Sequence, residues 1–302
     1  MDVSIIIVNY NTKILTENCI NSIFNLTEDI KFEIILVDNA STDGSIEFFK
    51  TYNNIKFIES KKNIGFGKAN NLGYKYAKGK YIFLLNSDTV LLNNAVKIFY
   101  ENMENLPHEI ACIGCQLLSE NSETIATSYG NFPEFNEIYK TLYNLYLGRF
   151  LGLKKFNIIN NTKIVKSIIV DYIIGADLFI RKNIIDNLGL FDDDFFMYYE
   201  ETEMQLRYKN KGFKSMLISG PQIIHLEPNL KEYSKKRYTT KQRYIYFEGM
   251  FLYYKKTTSI LKYSMFRFLS LGYLPLIINT KGNVFQKIQL FLLFIGFKTI
   301  KH

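Results

Sequence analysis

Tyr81-Ile82-Phe83-Leu84-Leu85-Asn86-Ser87-Asp88 is an apolar run that ends in a polar, acidic turn. Five successive apolar residues read as a strand buried on both faces, as in the parallel sheets of α/β proteins. Asp88 falls just past its end, where open α/β sheets place their ligands. A carboxylate there can hold a divalent cation, and a cation can hold a diphosphate. Two upstream strand ends repeat the pattern. Residues 3–8 run into Asn9-Tyr10-Asn11-Thr12, and residues 33–37 run into Asp38-Asn39-Ala40-Ser41-Thr42-Asp43-Gly44-Ser45. Asp38 is placed to accept a hydrogen bond from a ligand's base or ribose, with Asn9 and Asn11 on the other wall. Asp43 or Ser45 is expected to cap the following helix.

Outward from these turns, strands and helices alternate. Strands are predicted at 3–8, 33–37, 55–58, 81–85 and 110–118. Helices are predicted at 16–26, 45 to about 52, 67–77 and 93–102. The alternation indicates an α/β fold with a doubly wound, mostly parallel sheet. Residues 119–166 are less regular and aromatic, and read as a variable loop with a helix or two. A strand at 168–174, a Gly175-Ala176 turn, a strand at 177–180 and a helix from Lys182 follow. An acidic helix then starts at Glu200, ahead of strands at 212–218 and 223–225. Composition shifts near Pro228. The expected organisation is therefore 1–228, divided at 118/119, followed by a helical extension over 229–302.

The chain has 302 residues and a net charge of +8. From 229 onward, 14 Lys/Arg face only Glu232 and Glu248, a local charge of +12 that leaves −4 for residues 1–228. A basic tail rich in Tyr and Phe suits an anionic membrane surface. No nucleic-acid motif accompanies the charge, so nucleic acid is not expected as a partner. No apolar stretch reaches the ~20 residues that a span needs. The stretches at 266–278 and 291–297 suit the membrane interface instead. Three cysteines (Cys19, Cys112, Cys115) and no apparent leader lead us to expect a reduced, cytoplasmic setting. Cys112 and Cys115 have CxxC spacing without a second pair, which favours buried strand thiols over a metal or redox site.

Three more constellations carry chemistry. Lys62-Asn63-Ile64-Gly65-Phe66-Gly67-Lys68 is a glycine-bearing turn into a helix that carries Asn70 and Asn71. Glycines admit close backbone approach, and a helix N-terminus favours phosphate. It is neither a P-loop nor a dinucleotide fingerprint. Glu200-Glu201-Thr202-Glu203 opens a helix. Such acids complement the helix dipole, or one of them serves as a general base. At most two of the three share a helix face. His225, at a strand end, either packs or completes a metal site.

Seven segments together resemble inverting family 2 glycosyltransferases of the GT-A fold, in the rhamnosyltransferase-like branch. They are SIIIVNYNT (4–12), IILVDNASTDGS (34–45), NIGFGKANNLGY (63–74), YIFLLNSDT (81–89), DYIIGADLFIRK (171–182), LGLFDDDFFMYYEETEMQLR (188–207) and IIHLE (223–227). They span residues 4–227, about three quarters of the chain, in the family's order. The resemblance implies that 1–118 is the nucleotide-sugar half and 119–228 the acceptor half of a catalytic domain. It implies that Asp38 binds the base or ribose. Asn86-Ser87-Asp88 stands for the DxD-type motif, with Asp88 as the metal-binding acid and Asn86 in place of the first Asp. His225 corresponds to a metal ligand, for Mn²⁺ or Mg²⁺. Glu201 matches the second position of the Glu-Asp pair that supplies the base, and Glu200 is its alternative. Asn9, Asn11, Asn63, Gly65, Asn71, Asn86, Ser87, Gly175, Ala176 and Asp177 complete the nucleotide-sugar site.

The implied activity is transfer of one sugar, from dTDP-rhamnose or a UDP-sugar, to a hydroxyl of a glycan acceptor. The basic tail and the family's habit point to a polyprenyl-lipid-linked acceptor in bacterial surface polysaccharide assembly. The protein would then lie peripherally on the cytoplasmic face of the inner membrane. A processive synthase is disfavoured, because its Gln-x-x-Arg-Trp motif is absent and the chain has no Trp. A sugar nucleotidyltransferase should carry a Gly-rich basic loop after the first strand, and Asn9-Tyr10-Asn11-Thr12 is not one. A non-catalytic nucleotide-sugar-binding protein should lack Asp88 or the Glu200/Glu201 pair, and all three are present. Donor, acceptor, linkage and oligomeric state are not legible in the residues.

Overall fold

The computed structural model describes residues 1–119, 128–134, 166–226, 239–273 and 284–296. The chain divides into two compact units. The first comprises 1–131, 161–196 and 200–227; the second comprises 132–160, 197–199 and 228–302. Most of the expected 119–166 loop region, and the composition boundary at 228, lie outside the described residues.

The first unit is built on an eight-stranded sheet. Its elements are β1 (Val3–Asn9), α1 (Lys13–Leu26), β2 (Phe32–Asp38), α2 (Ser45–Phe49), β3 (Lys56–Glu59), α3 (Phe66–Tyr74) and β4 (Tyr81–Asn86). Then come β5 (Thr89–Leu91), α4 (Ala95–Asn105), β6 (Ile110–Cys115), β7 (Tyr129–Gly130), β8 (Ile168–Val170) and β9 (Tyr172–Ile173). β10 (Asp177–Arg181), α5 (Lys182–Leu188), α6 (Glu200–Lys209), β11 (Lys214–Ile218) and β12 (Ile223–His225) complete it. The sheet order is β3-β2-β1-β4-β10-β6-β11-β8.

β1, β2 and β4 carry the unbroken apolar runs 5–8, 34–37 and 81–85 because both faces are covered there. Ile5, Ile7, Phe83 and Leu85 pack with α1 and α4 on one side. Ile6, Ile35, Val37, Ile82 and Leu84 pack with α3, α5 and α6 on the other. The parallel register pairs Asn9 with Asp38 and Val8 with Asn86. The three polar strand ends read from the sequence are therefore neighbours at one edge of the sheet.

Three features differ from the sequence reading, and the CxxC expectation is met. β10 runs antiparallel between β4 and β6, pairing Phe179 with both Phe83 and Ile113. Residues 168–174 are not one strand: Asp171 separates β8, which pairs with β11, from β9, which pairs with β7. β5 is only three residues long and gains its partner, β12, from far along the chain. The two CxxC thiols are buried on opposite faces of β6, Cys112 in one core and Cys115 in the other. Spacing of three residues in a strand reverses the side, so the pair cannot join in a disulfide or a shared metal.

In the second unit α7 (Thr240–Thr257) begins with a reciprocal capping box between Thr239 and Gln242. α8 (Ile260–Ser270) is capped by Ser259. A 3-10 turn (Leu271–Tyr273) and α9 (Val284–Phe294) follow. Phe294 meets Phe247 and Phe251 of α7 at ring distances of 4.7 and 5.1 Å, and Phe266 of α8 stacks on Tyr254 at 3.7 Å. Among the described residues, no helix is long and apolar enough to cross a membrane.

Candidate active site

The β1 and β2 ends form one polar network. Asn9 Nδ2 donates to Asp38 Oδ2 at 2.6 Å and to Ser41 Oγ at 3.0 Å. Asn9 Oδ1 accepts from the hydroxyls of Thr12 and Thr16, both at 2.8 Å. Asp38 Oδ1 accepts from Ser41 N at 2.8 Å. Asn9 and Asp38 are both 0% exposed, so they shape the turn from behind it. Asn11 is exposed, has φ of +56°, and accepts Thr42 N at 2.7 Å. The Thr12 and Ser87 hydroxyls meet at 3.1 Å, which ties this network to the Asn86-Ser87-Asp88 turn.

The glycine turn hangs on the same strand end. Asn39 donates to Asn63 Oδ1 and accepts from Ile64 N, and Gly65 N also donates to Asn63 Oδ1. Gly65 has φ of +87°, and a Cβ there would lie 2.2 Å from Phe196 O. No L side chain fits, and Phe66 N donates to that same carbonyl at 2.9 Å. A Cβ on Gly67 would come within 3.6 Å of Glu200 Cβ, so the first turn of α3 lies beside the acidic helix start. Gly175 lies against the Phe66 ring. Asn71 is a strut: its amide donates to Phe191 O and accepts from Phe191 N.

Past β4, the backbone N of Asn86 donates to Ala176 O at 3.0 Å. That bond joins the Asn86-Ser87-Asp88 turn to the Gly175-Ala176-Asp177 turn. The β5–β12 pairing sets Thr89 opposite His225 and brings His225 to Asp88. His225 Nε2 lies 3.2 Å from Asp88 Oδ1 and 3.4 Å from Asn86 Nδ2. Adjacent ligands of an octahedral cation with bonds of ~2.1 Å stand about 3 Å apart. The Asp88–His225 separation matches this, and a carboxylate with an imidazole is a suitable donor set for Mn²⁺. Among the described residues, no group of three His, Cys, Asp or Glu side chains is gathered for a metal. Asp88 and His225 are the two side chains that these strand ends bring within reach of one ion.

Asp177 is buried, and Cys115 N donates to its Oδ2 at 2.7 Å, while Oδ1 has no partner. Burial pushes its carboxyl up to about 7. The bond from Cys115 N ties the start of β10 to the end of β6.

Glu200 and Glu201 open α6. Glu200 is buried and Glu201 half-buried, and each has an Oε2 that is buried without a hydrogen-bond partner. Burial, and then the neighbouring Glu201, raise Glu200 well above the usual carboxylate range. Burial alone pushes Glu201 up to about 6. Glu203 instead pairs with Arg207 through two contacts of 3.1 Å. The three acids thus separate into a paired one and two unpaired ones. The two residues before Glu200, Tyr198 and Tyr199, both have φ of +70°. Left-handed backbone at two bulky residues is strained, a condition found at functional sites.

Ser41, Thr12, Thr16, Asn39 and Phe196 were not singled out from the sequence. Their proximity to strand ends was a signal, but their long-range pairings had none. The expected residues fall into three groups: the Asn9–Asp38 network with the Asn63–Gly65 turn, the Asn86–Ala176–His225–Asp88 group, and the Glu200–Glu201 pair.

The sequence profile of glycosyl transferase family 2 matches residues 4–166. The low-salt glycan biosynthesis hexosyltransferase Agl10 of Haloferax volcanii is 25% identical over 237 residues, 75% of this chain and 68% of that protein. The poly(ribitol-phosphate) beta-glucosyltransferase of Bacillus spizizenii is 38% identical over 108 residues, 33% of this chain and 17% of that protein. The crystal structure of GalNAc-T7 with UDP, GalNAc and Mn²⁺ shares the fold at a TM-score of 0.56 and 16% identity. That superposition covers 75% of this chain and 44% of the other. The chain thus spans about two thirds of the first relative, but less than half of the other two proteins. With the matching profile spanning more than half of its length, the chain belongs to glycosyl transferase family 2.

Proposed function

We propose that this chain transfers one sugar from a nucleoside-diphosphate sugar to a hydroxyl of a glycan acceptor, inverting the anomeric carbon. The observation that carries the reading is the Asp88–His225 pair, 3.2 Å apart just past a strand end of the sheet. The 1–228 region acts as the catalytic domain, with its nucleotide-sugar half in 1–118 and its acceptor half in 119–228. Asn9 and Asp38 set the turn that receives base and ribose, while Asn11, Asn63, Asn86 and Ser87 offer polar groups toward the nucleotide. Gly65 and Gly175 keep the backbone close, and Asp177, bonded to Cys115 N, anchors the turn that carries Ala176. Asp88 and His225 would hold Mn²⁺ or Mg²⁺, which when bound neutralises charge on the leaving diphosphate.

Glu201, with Glu200 as its neighbour, accepts the proton of the acceptor hydroxyl. The acceptor oxygen bonds the anomeric carbon as the bond to the diphosphate breaks, with the electron pair leaving on the diphosphate. A single displacement inverts configuration and needs one base. A carboxylate raised toward neutrality by burial is suited to that task.

UDP and Mn²⁺ bound to the fold neighbour support a UDP-sugar donor and a divalent cation; the rhamnosyltransferase-like motifs support dTDP-rhamnose. Relatives named for glycan and poly(ribitol-phosphate) glycosylation support an acceptor in surface polysaccharide assembly. A polyprenyl-lipid-linked acceptor and a peripheral place on the cytoplasmic face of the inner membrane fit the basic, aromatic 229–302 segment.

The test is a donor screen by thermal protection and nucleoside-diphosphate release, with and without Mn²⁺ or Mg²⁺. One donor should protect the protein in a metal-dependent way, and Asp88→Ala should abolish that dependence. Failure of every nucleotide sugar to bind would sink the reading.

A further inference from the structure

We infer that α8 and α9 form an in-plane membrane-binding surface that docks the chain on a bilayer rich in anionic phospholipid. The inference deepens the peripheral-membrane reading above by naming the surface and its two binding forces. α9 is apolar on two sides. Leu290, Leu293 and Phe294 are buried, and Phe294 packs on Phe247 and Phe251 of α7. The other side carries Val284 (74% exposed), Ile288 (49%) and Phe291 (44%), continued by Ile295 (43%) just past the helix end. The spacing of four and then three residues within the helix is one helix face. Phe285, at 67% exposed, lies beside that face. α9 thus has a core on one apolar side only, and Gln286, Lys287 and Gln289 supply its polar positions, the composition of a helix lying in a membrane interface.

α8 repeats the arrangement. Phe266 is buried, while Ile260 (87%), Leu261 (72%), Met265 (49%) and Phe268 (73%) are exposed. Arg267 joins the two helices, donating to Leu293 O at 2.5 Å and stacking over Phe251 at 4.1 Å. Exposed aromatic and aliphatic residues at this density exceed the scattered surface apolars of ordinary proteins.

Charge decides between occupants. From 249 to 302 the chain has eight Lys/Arg and no acid. Lys262 is exposed on α8, and Lys287 lies on α9. Lys281, Lys298 and Lys301 flank α9 in the sequence. A second copy of the same surface would set positive against positive, whereas anionic headgroups neutralise it. Helices of 11 residues each are too short to span and suit the interface, apolar side down and lysines at headgroup level.

The experiment is vesicle flotation of the full chain with phosphatidylcholine alone and with phosphatidylcholine plus phosphatidylglycerol, at low and high salt. Binding is expected with the anionic vesicles and should weaken at high salt. Phe268→Ser and Phe291→Ser should each weaken it on the order of tenfold, the factor that about 1.4 kcal/mol represents. Both variants should keep the wild-type melting temperature and soluble-donor protection, so this surface is tested apart from the transfer reading. Absence of binding to anionic vesicles overturns the inference, as does wild-type binding by both variants. So does a concentration-dependent dimer, without lipid, that either variant dissolves.

Discussion

Two polar clusters in the first unit treat their carboxylates in opposite ways. Asp38 is sealed and has hydrogen-bond partners on both oxygens, from Asn9 and Ser41. Glu200 and Glu201 each keep a buried oxygen with no partner. Buried polar groups are nearly always satisfied, so an unsatisfied pair demands a reason. A satisfied network fixes a shape and has no capacity left for chemistry. An unsatisfied carboxylate costs stability and retains an avid acceptor for an arriving proton. The contrast separates residues that hold the site from residues that act in it.

The contrast breaks if the two clusters respond alike to substitution. The largest effect is expected at the unsatisfied pair. Glu201→Gln should lower the transfer rate about a hundred- to ten-thousand-fold, the range of a lost general base. An equal loss in Glu200→Gln with little loss in Glu201→Gln would move the base to Glu200. The wild-type rate should rise with pH through an apparent value near 6, which belongs to the pair.

The same pair has a stability signature of defined sign. Both carboxyls have folded-state values above the ordinary 4.5. Below that value both states are protonated and burial is not penalised. As pH rises from there through the folded-state values, the folded protein must ionise groups that the unfolded chain ionises easily, so stability falls. Thermal unfolding from pH 5 to 7.5 should show the decline. Glu201→Gln should make it shallower and gain roughly 1–2 kcal/mol at the upper end, the remaining decline belonging to Glu200 and to Asp177.

Smaller effects sharpen the other side of the comparison. Gly65→Ala, at the junction between the clusters, should cost about 2–4 kcal/mol by denaturant titration, because strain and a backbone clash coincide. Asp38→Ala should cost about 1–3 kcal/mol by leaving Ser41 N unmet, as read by denaturant titration. Asn71→Ala should cost about 1 kcal/mol and leave the rate per folded molecule nearly intact. A rate collapse in Asn71→Ala with unchanged stability would place it among the acting residues.

The strand ends were legible because a continuous apolar run followed by Asn or Asp is a local signal, as at Leu85-Asn86-Ser87-Asp88. So were the acids of α6, as a run at a helix start. What separates Glu203 from Glu200 and Glu201 was not legible, since it depends on Arg207 and on burial by distant residues. β5 escaped notice because Thr89-Val90-Leu91 is short and pairs with residues 223–225. The direction of β10 is invisible locally, because a short strand with a three-residue apolar centre reads the same in either orientation. α9 was read only from 291, because exposed and buried apolar residues look identical in a sequence.

The place of β10 bears on how the chain is made. Residues 177–181 enter the sheet between β4 and β6, which are complete by residue 115. During synthesis β4 has one open side until β10 emerges, and β6 has neither of its sheet neighbours. A fragment cut where the family profile stops, at residue 166, would carry both bare edges permanently. Such a fragment should self-associate through strand pairing, so the smallest independently folding piece of this molecule extends beyond β10.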